Sequence, residues 1–407
     1  MLLHSKKAVM YGAGNIGRGF IGMLLSQSGY RVTFIDVAKP LVDALNQRGS
    51  YPVRILDADK HEDILVEDVD AIDGMDETVV AEAIANTDVM ATAVGANILP
   101  RIAKNIALGL KLRMKRGGEP LNILICENLI DANIALMGWI SEHLDETERA
   151  WMNANVGFVE ASIGRMVPVQ TPEMQEGDAL RVCVERYGYL PVDRDAFRGE
   201  LPQIRNMVPF SPFDFYIRRK LYVHNLGHAV TAFLGLYTEK AYIADAIDDP
   251  EIYIIALNAM LESAEALSLK YGVPVADILR HIQDLLVRFG NRRLGDTCLR
   301  VGADIARKLS PQDRLIGSAR LCREQGIMPT FICVGAAGAV YAYLEENGIE
   351  PTDERAKETL KLLTGLNSGS VRALILRYWA RFAAGASLAE IRRMAQHEKA
   401  ASGHDVV

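Results

Sequence analysis

The chain is poor in cysteine, and none of its cysteines are spaced to work together. Cys126, Cys183, Cys298, Cys322 and Cys333 are scattered, odd in number and without a C-x-x-C pair. That pattern argues against a disulfide framework and a zinc knuckle, and suits a reducing compartment. Long apolar runs are also missing. The longest low-charge stretch, Thr330 to Leu344, falls short of the roughly 20 residues that cross a bilayer, and its Gly335, Ala336, Gly338 and Ala339 read as a helix buried among other helices. The opening MLLHSKKAVMYGAG carries charge where a signal peptide needs its apolar centre. A basic excess is absent as well: Lys plus Arg is 45 against 52 Asp plus Glu, a net charge of −7, which disfavours nucleic acid and anionic membranes as partners. The expectation is a soluble, cytoplasmic protein, a monomer or small homo-oligomer, acting on a small molecule.

What is present is ordinary in bulk and informative in order. The 407 residues are 49% hydrophobic and 24% charged, enough for two or three domains of about 100–200 residues. KKAVMYG reads as a strand, NIGRGFIGMLLSQSG as a helix, and YRVTFIDV as a second strand; DVMATAV and LNILICEN are later strands, each followed by a helical pattern. Such alternation predicts a mostly parallel, doubly wound sheet. After about Trp151, VGFVEASIG, RMVPVQ and LRVCVERYGYLPV read as extra strands of the same domain. From about Phe213, long helical periodicity takes over, so the predicted fold is an α/β Rossmann-type N-terminal domain with extra strands followed by an all-α C-terminal domain. The expected boundaries are 1–205, 206–399 and a frayed tail at 400–407, with the join near Pro202 to Pro212.

YGAGNIGRGF places Gly12, Gly14 and Gly17 in G-x-G-x-x-G spacing between a strand and a helix. Gly12 allows the tight turn, Gly14 lets the backbone approach a pyrophosphate, and Gly17 lets helix and strand pack closely. Asn15 and Ile16 open the helix, whose free N–H groups and positive dipole end face the phosphates. Asp36 ends the next strand, about 20 residues on, where a ribose-binding acid is expected. A carboxylate there accepts from the 2′-hydroxyl and repels a 2′-phosphate, which favours NAD over NADP. A glycine-rich turn beside an unrelated aspartate, and a flavin-type ligand, stay open as alternatives.

The second constellation is KLYVHNLGH, Lys220 to His228. A dehydrogenase oxidising an alcohol needs a base for the hydroxyl proton and donors for the developing oxyanion. Lys220 can be that base if burial and the neighbouring Arg218 and Arg219 lower its pKa. Asn225 can donate to the substrate oxygen, and His228 can bond a neighbouring hydroxyl. At about 100° per residue, Asn225 and His228 share a helix face with Lys220 on its flank. Spacing alone leaves open a surface lysine with a histidine satisfied in the core. A metal pair, His224 and His228, is the lesser alternative: Asn225, Leu226 and Gly227 stand between them where the zinc helix carries a glutamate.

With both constellations in place, the chain resembles the long-chain polyol and mannitol dehydrogenases over nearly its whole length. Four segments carry the resemblance: GAGNIGRGFIG (Gly12–Gly22), CENLI (Cys126–Ile130), KLYVHNLGHAVTAFLG (Lys220–Gly235) and RVGADIARKLSPQDRLIG (Arg300–Gly317). K-x-x-x-x-N-x-x-H with an upstream Asn is specific to this family and is matched by Lys220, Asn225, His228 and Asn128. The resemblance implies a Rossmann domain, a helical domain, and metal-independent NAD chemistry on a polyol or ketose phosphate. It further implies Lys220 as general base, Asn128 and Asn225 at the oxyanion, and His228 orienting substrate. Lys308 matches a further family lysine expected to contact substrate or support the site, and Arg219 is a candidate for a phosphate. The compact length resembles the sugar-phosphate members. One departure stands out: many relatives carry Asp-Arg before Val-Pro, whereas this chain reads IGRMVP, with Gly164 before Arg165.

Overall fold

The alternation of short apolar runs with helical patterns folds as a parallel sheet. The structure is a computed structural model that describes residues 6–57, 60–129 and 131–402. The first residues of MLLHS, the last residue of CENLI (Ile130) and positions 403–407 of the expected tail lie outside the described residues. The chain divides into two compact units, Met1–Asp214 and Phe215–Val407.

Six parallel strands form the main sheet of the first unit: β1 (Lys6–Tyr11), β2 (Tyr30–Asp36), β3 (Val69–Asp73), β4 (Val89–Thr92), β5 (Leu121–Ile125) and β6 (Val156–Glu160). They lie in the order β3-β2-β1-β4-β5-β6. Met10 of β1 stands beside Phe34 of β2 on one side and Ala91 of β4 on the other. The chain therefore leaves β1 in one direction and later returns to its other side, which opens a crevice at the carboxyl ends of β1 and β4. Every residue of β4 and β5 is buried, as parallel strands covered on both faces require. On one face Phe20, Leu24, Phe34 and Tyr51 form the core; on the other, Val80, Ile84, Ile102, Ile106 and Leu136 from the crossover helices do so.

Of the extra strands predicted after Trp151, only β6 extends this sheet. Val182–Glu185 pairs with Ser50–Leu56, itself hairpinned to His61–Glu67, and Leu190–Asp193 pairs with Met207–Phe210. RMVPVQ forms no strand. Pro168 has no N–H for a ladder, and the Gln170 side chain takes the bonds a strand neighbour would make, accepting from Cys183 N at 2.6 Å and donating to Cys183 O at 3.0 Å.

The second unit is helical, and its β pairing among the described residues is the single bridge Tyr242–Thr297. Helix Thr330–Glu346 is buried over Thr330–Val340. A Cβ on Gly335 would stand 2.5 Å from Val230 Cγ2, so glycine there sets how closely the helix approaches its neighbour. Helix Pro250–Tyr271 has a mean hydropathy of 1.4 over its most apolar 18 residues and is long enough to cross a bilayer, but 56% of that window is buried within the fold. Its Glu262 carboxylate is 3% exposed and accepts from the N–H groups of Phe331 and Ile332 at 3.0 and 3.1 Å, where helix Thr330–Glu346 begins. Lys399 stands 3.2 Å away. The last helix, Leu388–Ser402, runs past residue 400, where fraying was expected.

Candidate active site

Features of the first unit at the carboxyl edge of its sheet suit a dinucleotide. Gly12 has φ +101°, and a Cβ there would come within 2.6 Å of Ala93 O. A Cβ on Gly17 would stand 1.9 Å from Gly12 O, whereas nothing lies within 4 Å of one on Gly14. Two glycines thus close the turn against its surroundings, and the third leaves the backbone open to a ligand. Asn15 is exposed and Ile16 half-buried at the start of the helix, whose Gly17–Gly22 segment is wound as a π turn. The Asp36 carboxylate accepts from Ala13 N at 2.8 Å and from Ala38 N at 2.9 Å, and each oxygen keeps a lone pair for a ribose hydroxyl. A cavity of about 680 Å³ opens from Gly12, Gly14 and Asp36, walled by Val37, Met75 and Ile102. That volume and apolar wall suit an adenosine.

Several residues of this edge were given no role by the sequence. Arg18 is buried and donates to Ala13 O at 2.7 Å and to Leu180 O, which holds the glycine loop from behind. Glu127, the residue before Asn128, is buried; it accepts from Thr92 Oγ1 at 2.7 Å and from Val94 N at 3.0 Å, and burial raises its pKa. It ties the ends of β4 and β5 together and so places the exposed Asn128 on the same edge. Glu160 closes β6; burial and the nearby Asp131 push its carboxyl up to about 7. The only clue to it in the sequence is an acid that ends an apolar strand.

Gly164 and Arg165 separate in role. Arg165 is buried, donates to Tyr187 O and, at 2.9 Å, to Gly19 O, and lies 4.8 Å from the centre of the Phe20 ring. A Cβ on Gly164 would stand 3.0 Å from Tyr187 Cε1. The tyrosine ring therefore crowds the space a side chain at Gly164 would enter.

In the second unit, Lys220, Asn225 and His228 ride on one continuous helix, but not with the regular spacing expected. Lys220–His224 is a π turn between Asp214–Arg219 and Asn225–Tyr237, and Asn225 N donates to Lys220 O. At about 100° per residue, five α-helical steps would put Lys220 some 140° round from Asn225. An i→i+5 bond instead stacks one over the other, and such widened turns recur at functional sites. The structure therefore brings Lys220 and Asn225 to one face, more closely than regular spacing predicts.

His228 stands 3.1 Å through Nε2 from Asp296 Oδ2, and its ring stacks on Phe289 at 4.9 Å between centres and 9° between planes. Burial would raise the Asp296 pKa, but the His228 hydrogen bond and the nearby Arg300 outweigh it and hold the carboxyl below its usual range. His224 is buried with its ring 6.2 Å from that of His228. Burial, then Arg288, His228, His281 and Lys220, push its pKa well below the usual histidine value. Among the described residues, no three of His, Cys, Asp and Glu gather as a ligand set. Lys308 is 4% exposed, and burial followed by Arg314 and Arg307 lowers its pKa to about 8. The Arg219 guanidinium lies 4.4 Å from the centre of the Tyr216 ring.

Residues 6–206 match the mannitol dehydrogenase Rossmann domain, and residues 213–375 match the mannitol dehydrogenase C-terminal domain. The chain is 39% identical over 380 residues to mannitol-1-phosphate 5-dehydrogenase of Brevibacillus brevis, covering 92% of this chain and 97% of that one. In fold it is similar to the Pseudomonas fluorescens mannitol 2-dehydrogenase solved with NAD and D-mannitol, with a TM-score of 0.74 and 15% identity over 96% of this chain and 94% of the other. A D-sorbitol dehydrogenase solved without substrate gives a TM-score of 0.76 and 16% identity over 94% and 96%. A glycine-loop sheet, a helical second unit carrying Lys-Asn-His, and two family domains matched in succession along the chain make it a member of the mannitol dehydrogenase family.

Proposed function

We propose that the chain is an NAD-dependent, metal-independent oxidoreductase that interconverts mannitol 1-phosphate and fructose 6-phosphate. The observation that carries the reading is the π turn, which stacks Lys220 and Asn225 on one helix face with His228 a turn further on. The 39% identity to a mannitol-1-phosphate 5-dehydrogenase supports the phosphorylated substrate, and Asp36 at the glycine loop supports NAD rather than NADP.

When bound, the nicotinamide supplies the hydride acceptor. The chain's own residues manage the proton and the charge. In oxidation, Lys220 Nζ takes the C5 hydroxyl proton while the C5 hydrogen departs as hydride, and C5 becomes a carbonyl. The Asn225 amide donates to the oxygen as charge builds on it, a role the family resemblance also gives to Asn128. His228 holds a neighbouring hydroxyl. In reduction, the Lys220 ammonium returns the proton to the oxygen.

A screen of NADH oxidation with ketoses, ketose phosphates and keto-uronates, repeated with NADPH, tests the reading. Turnover of fructose 6-phosphate with NADH, well above fructose, is expected. Preference for an unphosphorylated ketose or a keto-uronate would move the enzyme to a related polyol or uronate reaction, and preference for NADPH would contradict the role of Asp36.

A further inference from the structure

The partner of His228 decides which way that imidazole speaks to a substrate. An ionised carboxylate only accepts hydrogen bonds, so a 3.1 Å contact between Asp296 Oδ2 and His228 Nε2 requires the proton on Nε2. The other oxygen of Asp296 accepts from Arg300 Nε at 2.9 Å, so the carboxylate cannot swing away without breaking a second bond. Its backbone is pinned as well: Asp296 O accepts from Ile243 N at 2.9 Å, and Thr297 bridges to Tyr242. The Asp296 side chain is 11% exposed, and that of His228 15%. The ring is held flat against Phe289. Carboxylate, tautomer and ring plane are thus set together, before any ligand arrives.

We propose that Asp296 is a positioning residue that locks His228 in the Nε2–H tautomer, so that Nδ1 accepts a hydrogen bond from a hydroxyl of the substrate. This rests on the reading of His228 as part of the active site and deepens it. A histidine free to change tautomer would bond either a donor or an acceptor. The locked ring reads only a group that brings its own proton. The site therefore selects a free hydroxyl next to the reacting carbon and rejects a deoxy, O-methyl or keto group there. Sites built to bond a hydroxyl reject analogues that lack it far more strongly than apolar pockets reject an added methylene.

The test begins on the unmutated protein. In protein labelled with ¹⁵N-histidine, two-bond ¹H–¹⁵N spectra at pH 8 report each tautomer, and His228→Ala identifies the His228 signals. The Nε2–H form is expected; the Nδ1–H form would overturn the proposal without any variant needing to fold. The second arm is Asp296→Asn. The single amide oxygen stays with the donor-only Arg300, the amide NH₂ then faces Nε2, and the proton is driven to Nδ1. The expected result is the Nδ1–H spectrum and kcat/KM about 100-fold lower, the scale on which misplaced groups act, with an unchanged melting temperature. An unchanged tautomer with unchanged kcat/KM would overturn the proposal. Full turnover by His228→Ala would instead remove His228 from the site, whichever tautomer Asp296 enforces.

Discussion

The Asp36 carboxylate and the backbone N–H of Ala13 are joined by a 2.8 Å hydrogen bond. The residue proposed to read the ribose is therefore also a brace for the glycine loop that would hold the pyrophosphate. Asp36→Ala should weaken NADH binding by about 10–100-fold, the loss of one to two hydrogen bonds to a charged group. Titration of NADH fluorescence measures it. NADPH affinity should not rise to match, because removing the carboxylate slackens the loop as well as lifting the repulsion.

Lys220 and Asn225 share a face because the turn between them is wide. Lys220→Ala should lower kcat by about 10²–10⁴-fold, the usual worth of a positioned general base, with NADH binding intact. Near-full turnover in this variant would exclude Lys220 as the base. Exhaustive chelation should leave wild-type activity unchanged; activity restored only by added zinc would return His224 and His228 to consideration.

At Gly17 the obstacle is backbone, not a movable side chain: an added Cβ would stand 1.9 Å from Gly12 O. Gly17→Ala should destabilise the first unit by about 3 kcal/mol, at the upper end of overpacking effects. In urea, the midpoint of its transition should fall with little change in slope. An unchanged midpoint would mean that the glycine loop relaxes freely.

Two buried groups give the stability opposite pH slopes. His224 has a folded pKa well below 6.5, so its contribution is present above pH 6.5 and is lost as pH falls, by about 1.4 kcal/mol per unit. Glu262 is pushed the other way, from 4.5 to about 7, chiefly by burial. Its contribution is full below pH 4.5 and is lost as pH rises through 7. Urea unfolding across pH 5–8 should show His224→Gln flattening the loss towards acid and Glu262→Gln flattening the loss towards neutrality. The same slopes in variant and wild type would refute either assignment.

Gly12, Gly14, Gly17 and Asp36 were legible because the pattern that carries them is local: strand, turn, helix and next strand lie within one short stretch of chain. The parallel sheet followed from the same repeat of short apolar runs. The Lys-Asn-His spacing was legible as a pattern, but its geometry was not. A period of 3.6 residues describes an undisturbed helix, and nothing in KLYVHNLGH announces a widened turn. RMVPVQ has the composition of a strand, yet Gln170 takes its neighbour's bonds through a side chain.

By itself, then, the sequence determined the two kinds of unit, the nucleotide loop and the residue types able to move a proton. Only the tertiary structure decided that Asp296 stands against His228, that Tyr187 crowds the space beside Gly164, and that Glu127 ties together the strand ends beneath Asn128. The physical reason is range. Backbone preferences and hydrophobic period act over a few residues and leave their mark in spacing. The pairing of side chains far apart in the chain is set by how packed elements close on one another, and no single position in the sequence records it.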